Sequence, residues 1–232
     1  WLTSMAYAGE RCAGIDPARA TPHAAGDYPG GESANTTHVT TADAEGLFVS
    51  ATQTLNNIFG SKVTTPGTGM MLNDNMSLMN PTPGTTNSIA GGKRILSSMS
   101  PTLVLKDGAP LMALGTPGGR RIFGAVMQAI VNVLDHGMTL QEAVEAPRVW
   151  TQGPILEVED RFPDLAALVS ALEMMGHRVQ VVPAVAGGMN GVMRDAATGL
   201  LRGAACWRAD GAPIGISGGP AWIADASRPG WY

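Results

Sequence analysis

The sequence changes its hydrophobic period at residue 36, and this change constrains the fold more than any other feature. Residues 18–35, which precede it, are rich in Pro, Gly, Ala and Ser, as is typical of an accessible loop. Residues 36–42 and 47–55, which follow it, show the alternation of β-strands and are joined by the turn Asp-Ala-Glu-Gly. The pattern predicts a β-hairpin that begins where a loop ends.

Threonines stand at both ends of this predicted hairpin. Thr52, Thr54 and Asn56 should share one strand face by the period of two, and a hairpin that folds back brings Thr54 near Thr36. A threonine hydroxyl is a poor nucleophile without a base, and cleavage of the chain before the threonine supplies its own amine as that base. Threonine is also common in strands for reasons of propensity, so a purely structural role stays open.

The rest of the chain has predicted hairpins and helices in separate runs. A second hairpin is predicted to turn at Asp107-Gly108. The strongest helix pattern covers residues 120–137, with Gly137 as its C-cap, and a capping box of Thr139 and Glu142 starts the next helix. Such runs favour a layered α+β architecture over a doubly wound sheet.

The same patterns predict the remaining elements. The apolar face of the 120–137 helix should comprise Ile122, Phe123, Val126, Ile130, Val133 and Leu134. Further helices are predicted within residues 2–16 and 162–176, and further strands within residues 177–183, 187–195 and 200–207.

Composition excludes several classes of function. The 232 residues are 44% hydrophobic and 15% charged, as in a globular protein. The net charge of −4, without a Lys/Arg cluster, gives no support for nucleic-acid binding. No apolar run approaches the ~20 residues of a membrane span. The four histidines lack ligand spacing, so we expect no metal and no other cofactor.

The two cysteines, Cys12 and Cys206, form neither a metal spacing nor a disulfide framework. Two free thiols are expected, and one cross-link between them stays open.

Two further polar clusters accompany the threonines. Ser97 and Ser98 precede a predicted strand, and paired hydroxyls there could bind a carboxylate or belong to an ordinary loop. Gly118 and Gly119 precede the long helix, where backbone N–H groups could stabilise an oxyanion or simply form a tight turn.

Five separated motifs give the sequence a specific resemblance. The stretches TTHVTTADAEGLFVSATQTLNNIFGSKV, KRILSSMSPTLVLKDG, LGTPGGRRI, EAVEAPRVW and GHRV resemble, in this order, the small-subunit half of gamma-glutamyltranspeptidases. These enzymes belong to the N-terminal nucleophile hydrolases. The resemblance covers about residues 36–210 and implies an αββα sandwich, of which this chain would hold the C-terminal half. Residues 1–35 resemble the end of the large subunit, so we expect a large-subunit segment at 1–35 and a catalytic domain at 36–232.

The resemblance also implies roles for individual residues. The precursor would cut itself at Asn35–Thr36, and Thr36 would then be the N-terminal nucleophile. Its freed α-amine, with a pKa of roughly 8, would act as general base. The other implied roles are positioning of the nucleophile by Thr54, donor binding by Asn56, Asn75, Ser97 and Ser98, and oxyanion stabilisation by Gly118 and Gly119. The resemblance implies a structural role for the His38 side chain.

The sequence departs from the family at the donor site. Leu78 stands where relatives carry the acid that binds the donor's α-amine, and leucine cannot pair with an ammonium group. Asn75 is shorter than the usual Gln or Glu. We therefore expect a donor without a free α-amine, such as a glutaryl-like amide, unless Asp74 replaces the missing acid. The segment 80–93 is shorter than in relatives with a lid, which favours bulky leaving groups, and Cys206 stands at an acid position.

These expectations define three alternatives. The first is an N-terminal threonine amidohydrolase or acyltransferase that, after autocleavage at Asn35–Thr36, acts on gamma-glutamyl or glutaryl-like amides. Its partners would be this small-molecule acyl amide and the large-subunit half of the precursor. The second is a true gamma-glutamyl transferase or hydrolase acting on glutathione. The third is a non-catalytic fragment or degenerate homologue. The compartment stays open between a periplasmic or secreted location and the cytoplasm.

Overall fold

The computed structural model describes residues 4–20, 36–195 and 197–216. The chain divides into two compact units, here called the larger and the smaller unit. The larger unit comprises Pro29–Ala146 and Ala186–Tyr232, and the smaller unit comprises Trp1–Tyr28 and Pro147–Val185. The two units are defined by contacts in space and not by processing of the chain. They therefore do not test the expected processing boundary at residue 36, which stays a prediction. Most of the predicted 18–35 loop and the scissile residue Asn35 lie outside the described residues.

Within the described residues, the secondary structure is mixed. The helices are α1 (Met5–Ala13), α2 (Ile122–Leu134), α3 (Leu140–Glu145) and α4 (Leu165–Met174). The strands are β1 (Thr36–Ala42), β2 (Phe48–Thr54), β3 (Thr102–Lys106), β4 (Ala109–Gly115), β5 (Val149–Thr151), β6 (Ile155–Glu159), β7 (Arg178–Val182), β8 (Asn190–Arg194) and β9 (Leu201–Ala205). Short 3-10 helices cover Asn75–Leu78 and Gly119–Arg121.

The first hairpin is confirmed. Strands β1 and β2 pair antiparallel, with Thr36 opposite Thr54 and His38 opposite Thr52. The turn closes because the Asp43 carboxylate accepts the Leu47 N–H at 2.9 Å. Strand β2 ends at Thr54, so the prediction that Asn56 shares its face is wrong.

The larger unit is built in layers. Its four-stranded sheet has the order β3-β4-β8-β9. Met112 and Leu114 of β4 lie in a core cluster with α2 and α3, whereas Ala113 packs with Phe48 and Val192 on the side of the β1–β2 hairpin. Because alternate strand residues face opposite sides, helices cover one face of the sheet and the hairpin covers the other. This arrangement agrees with the predicted α+β class.

The helix predictions hold with corrections at α2. The capping box of Thr139 and Glu142 is present at the start of α3. Phe123 and Leu134 are exposed, at 55% and 51%, so the predicted apolar face is too wide. Helix α2 ends at Leu134 with Asp135 as its cap, and Gly137 lies two residues beyond in a left-handed conformation (φ 67°).

Cys206 and the residues after it connect β9 to helix α3. The buried Cys206 sulfur accepts the Met189 N–H at 3.1 Å. The Arg208 guanidinium donates to the Val144 carbonyl at 3.1 Å and to the Ala146 carbonyl at 2.9 Å, which satisfies carbonyls at the end of α3. Cys12 is exposed, and neither cysteine forms a disulfide bond.

The smaller unit contains two strands that the sequence analysis missed. Strand β5 pairs antiparallel with β6, and β6 pairs parallel with β7 through the crossover helix α4. The buried Glu159 accepts the Arg148 N–H at 2.8 Å and the Val185 N–H at 2.6 Å. In the part of the chain that the structure describes, no helix is long and apolar enough to cross a membrane.

Candidate active site

The open end of the hairpin brings two threonine hydroxyls together. The Thr36 hydroxyl donates to Thr54 Oγ1 at 3.1 Å. The pair follows directly from the register, because Thr36 and Thr54 are opposite residues on the same side of the strands. Thr36 and Thr54 also line a pocket of about 470 Å³, together with Thr37, Gln53 and Leu55. The candidate nucleophile is therefore held by a neighbouring hydroxyl and reached from a pocket.

A tight turn after β2 adds a second donor to Thr54. The Asn56 N–H donates to Thr54 Oγ1 at 2.8 Å, and Asn56 has a left-handed backbone (φ 73°). Its side-chain amide donates to Ser77 Oγ at 2.9 Å. Since Thr54 Oγ1 accepts from Asn56, its remaining acceptor position faces the Thr36 hydroxyl.

Hydrogen bonds fix the hairpin to the four-stranded sheet. The Thr40 hydroxyl donates to Asn190 Oδ1 at 3.1 Å, and Asn190 Nδ2 donates to the His38 carbonyl at 2.8 Å. The Ser50 hydroxyl donates to the Leu114 carbonyl at 3.1 Å. Strands β4 and β8 thus support the strand that carries Thr36.

His38 packs between the hairpin and the end of β4. The residue is 6% exposed, and its Nδ1 lies 2.7 Å from Thr52 Oγ1. The ring lies against Gly115, where an added Cβ would come within 2.3 Å of the imidazole. The contact requires glycine at residue 115, and desolvation by burial lowers the pKa of His38 to about 4.

The lowered pKa of His38 predicts how the free energy of unfolding depends on pH. Unfolded His38 binds a proton below about pH 6.5, whereas folded His38 stays neutral down to about pH 4. The stability that neutral burial provides is thus complete above pH 6.5 and is lost as the pH falls towards 4. We expect His38 to contribute about 3 kcal/mol to the decrease in unfolding free energy over this range.

Urea denaturation at several pH values measures the effect. The His38→Gln variant should show a shallower decrease between pH 6.5 and 4 than the parent protein, and the exposed His136→Gln variant should retain the parental slope. Equal slopes for the parent and His38→Gln would contradict the assignment.

Gly118 and Gly119 lie where β4 leads into α2. Gly118 has φ 137° and Gly119 has φ 59°, both in the region that favours glycine. An added Cβ on Gly118 would lie 2.6 Å from the Ala186 Cα. Gly115, which touches His38, is three residues before Gly118, so at most about 10 Å of chain separates the two glycines. The N–H groups of Gly118 and Gly119 are candidates for oxyanion stabilisation.

The other predicted donor-binding residues occupy two loops. Asn75 begins the 3-10 turn that also contains Ser77, and its Oδ1 is buried without a hydrogen-bond partner. Ser97 and Ser98 precede β3, where Ser97 Oγ accepts the Met99 N–H at 3.2 Å. The 73–78 loop is connected to Thr54 through Asn56, whereas no hydrogen bond in the described structure joins the serine pair to Thr36.

Asp74 holds the turn after β2. Its Oδ1 accepts the Asn57 N–H at 3.0 Å, and its Oδ2 accepts from the Asn57 side chain. Its own N–H donates to the Leu55 carbonyl at 3.1 Å. Desolvation acts to raise the pKa of Asp74, but hydrogen bonds from Asn57 and the side chain of Asn56 outweigh it and lower the pKa below the ordinary value.

Sequence reasoning missed three of these contacts. The sequence does not predict the bond of Asn56 to Ser77 or that of Asn57 to Asp74, because both bonds connect loops that no periodicity relates. The contact of His38 with Gly115 gave one usable signal, a glycine at the end of an otherwise apolar strand. Among the described residues, no group of three His, Cys, Asp or Glu side chains could hold a metal ion.

The comparison of sequences points to one family. Residues 1–216 match the family model described as Gamma-glutamyltranspeptidase. The chain is 55% identical over 218 residues to the acylase ACY 1 proenzyme of Pseudomonas sp. strain SE83. This alignment covers 94% of the chain and 38% of the relative, so the chain spans about two fifths of the length of that proenzyme.

Solved structures agree with this match. The gamma-glutamyltranspeptidase of Pseudomonas nitroreducens superposes with a TM-score of 0.69 at 34% identity, covering 78% of this chain and 99% of that one. The cephalosporin acylase of Bacillus halodurans superposes with a TM-score of 0.74 at 32% identity, covering 90% of this chain and 38% of that one. The predicted N-terminal nucleophile hydrolase fold is confirmed, and the chain belongs to the gamma-glutamyltranspeptidase family.

Proposed function

We propose that the chain is the nucleophile-bearing part of an N-terminal threonine amidohydrolase or acyltransferase that matures by cleavage at Asn35–Thr36. The observation that carries this proposal is the hydrogen bond between the Thr36 and Thr54 hydroxyls at the start of β1. Thr36 begins strand β1 of the hairpin, and it lines the pocket. The alignment covers only 38% of the acylase proenzyme, which supports the large-subunit half of the precursor as the partner of this chain.

The chemistry needs two proton transfers at the Thr36 amine. The amine, with an intrinsic pKa of about 8, takes the hydroxyl proton while Thr36 Oγ1 attacks the amide carbonyl. The N–H groups of Gly118 and Gly119 stabilise the oxyanion of the tetrahedral intermediate. The intermediate collapses to an acyl ester on Thr36, and the amine gives its proton to the departing nitrogen. Water then attacks the ester, releasing the acid and restoring the hydroxyl.

The donor that fits best carries a terminal carboxylate without an α-amine. Leu78 is partly buried and offers no charge to an ammonium group. Asp74 is engaged by Asn57 through both carboxylate oxygens, which argues against its serving as the replacement acid. Ser97 and Ser98 retain hydroxyls for a carboxylate. The relatives at 55% identity are named acylase, which supports an acylase, whereas relatives at 36–44% identity are named glutathione hydrolase. The cephalosporin acylase supports a bulky amine as leaving group.

Two anilides that differ in one amino group test this specificity. Glutaryl p-nitroanilide and gamma-glutamyl p-nitroanilide release the same chromophore, so the ratio of their kcat/KM values isolates recognition of the amine. We expect the parent enzyme to prefer the glutaryl compound. Leu78→Asp should shift the ratio towards the gamma-glutamyl compound by about 10- to 100-fold, because it restores a charge-assisted pair.

Leu78→Asn is the matched control, since it has the shape of aspartate without the charge. It should leave the ratio close to the parental value. Efficient cleavage of the gamma-glutamyl anilide by the parent, with none of the glutaryl anilide, would instead support the alternative of a true gamma-glutamyl transferase or hydrolase acting on glutathione. No cleavage of either anilide, in a precursor that stays uncut, would favour a non-catalytic homologue.

A further inference from the structure

The buried hydroxyl of Thr116 holds the peptide group that precedes Gly118. Thr116 is fully buried. Its Oγ1 lies 2.9 Å from the Pro117 carbonyl oxygen and 2.9 Å from the Gly187 carbonyl oxygen, so its one proton is shared between two acceptors. The Pro117 oxygen also accepts the Gly187 N–H at 2.8 Å. Two donors thus converge on one carbonyl oxygen.

Fixing this carbonyl fixes the direction of the Gly118 N–H. A trans peptide group is planar, and its C=O and N–H bonds point in opposite directions. The Pro117 carbonyl and the Gly118 N–H belong to the same peptide group. The donors on the carbonyl oxygen therefore direct the Gly118 N–H away from the contact with Gly187.

Close packing leaves this peptide group little room to rotate. An added Cβ on Gly187 would come within 2.7 Å of Pro117 Cγ, and one on Gly118 within 2.6 Å of the Ala186 Cα. The two segments therefore approach at backbone distance. Sterics exclude large movements, and the Thr116 hydroxyl contributes a directional constraint that packing alone lacks.

We propose that Thr116 is a positioning residue that aligns the Gly118 N–H for oxyanion stabilisation. This inference rests on the proposed function, because it requires Gly118 to donate to an acyl-transfer intermediate. Thr116 is buried and acts through the Pro117–Gly118 peptide group, without touching the substrate. An oxyanion donor stabilises the transition state more than bound substrate, so a misaligned donor lowers kcat and leaves KM nearly unchanged.

Steady-state kinetics of the full precursor with glutaryl p-nitroanilide test this role. Thr116→Val keeps the shape and removes the hydroxyl, whereas Thr116→Ser keeps the hydroxyl and loses the methyl group. We expect Thr116→Val to lower kcat by about tenfold with KM within about twofold of the parent. Thr116→Ser should recover most of kcat, although it packs less well. The melting temperature of each variant is measured alongside its kinetics. If Thr116 had a merely structural role, kcat would follow the melting temperature of the variants and not the presence of the hydroxyl.

The outcomes separate this inference from the proposed function. An unchanged kcat in a folded Thr116→Val, or a kcat that follows the melting temperature across the variants, overturns the inference and leaves the proposed function standing. Absence of turnover of both the glutaryl and the gamma-glutamyl anilide by the parent overturns the proposed function, and the inference with it. If Thr116→Val fails to fold, the kcat values of Thr116→Ser and Thr116→Ala are compared, because these two variants differ only in the hydroxyl. Equal kcat values for the two would overturn the inference.

Discussion

Thr36→Ala will leave the precursor uncut at Asn35–Thr36 and will abolish turnover of acyl anilides. The substitution removes the atom that attacks, first in maturation and then in acyl transfer. Loss of a nucleophile that acts together with its base typically lowers the rate by four or more orders of magnitude. Electrophoresis under denaturing conditions measures cleavage, and release of p-nitroaniline measures turnover.

The strand itself provides the matched control for Thr36→Ala. Thr41 belongs to the same strand β1, is exposed, and lies outside the lining of the pocket at Thr36. Thr41→Ala should therefore cleave, and it should keep turnover within a few-fold of the parent. Thr36→Ser should cleave slowly and retain measurable turnover, because a hydroxyl remains. Normal cleavage and turnover by Thr36→Ala would exclude Thr36 as the nucleophile.

Gly118→Ala should have the second largest effect. The added methyl group would lie 2.6 Å from both the Cα and the Cβ of Ala186, and the φ of 137° is strained for any residue with a side chain. A shift of residues 116–119 that relieves this contact takes the Gly118 and Gly119 N–H groups out of position. We expect kcat to fall by about a hundredfold or more, with a lower melting temperature.

Gly91 provides the comparison for this substitution. A Cβ added at Gly91 would meet no atom within 4 Å, so Gly91→Ala should change neither kcat nor the melting temperature appreciably. Kinetics and thermal melts of the two alanine variants separate the general effect of losing a glycine from the effect at Gly118. A Gly118→Ala enzyme with parental kcat would show that the loop is not part of the catalytic site.

The elements that the sequence predicted are those with local signals. The turn at Asp107-Gly108 has positive φ at both residues, and the chain provides the two residue types that tolerate it. The capping box of Thr139 and Glu142 is a contact within four residues. The opposition of Thr36 and Thr54 followed from the hairpin register alone. In each case a short stretch of chain contains both partners.

The elements that the sequence did not predict depend on distant partners. Strands β5 and β6 are short, and β6 is stabilised by its parallel pairing with β7 across a helix, which no local pattern shows. Phe123 is apolar but exposed, because the face of α2 that meets the sheet is narrower than its apolar surface. The bonds from Thr116 to Gly187 and from Asp74 to Asn57 join loops far apart in the chain.

The decisive measurement is the intact mass of the purified precursor, before and after incubation with glutaryl p-nitroanilide and an acid quench. We expect a fragment whose first residue is Thr36 and, in the quenched sample, a second species heavier by one glutaryl group attached to that residue. A precursor that stays intact, or a glutaryl group found on any residue other than Thr36, would exclude Thr36 as the acylated nucleophile.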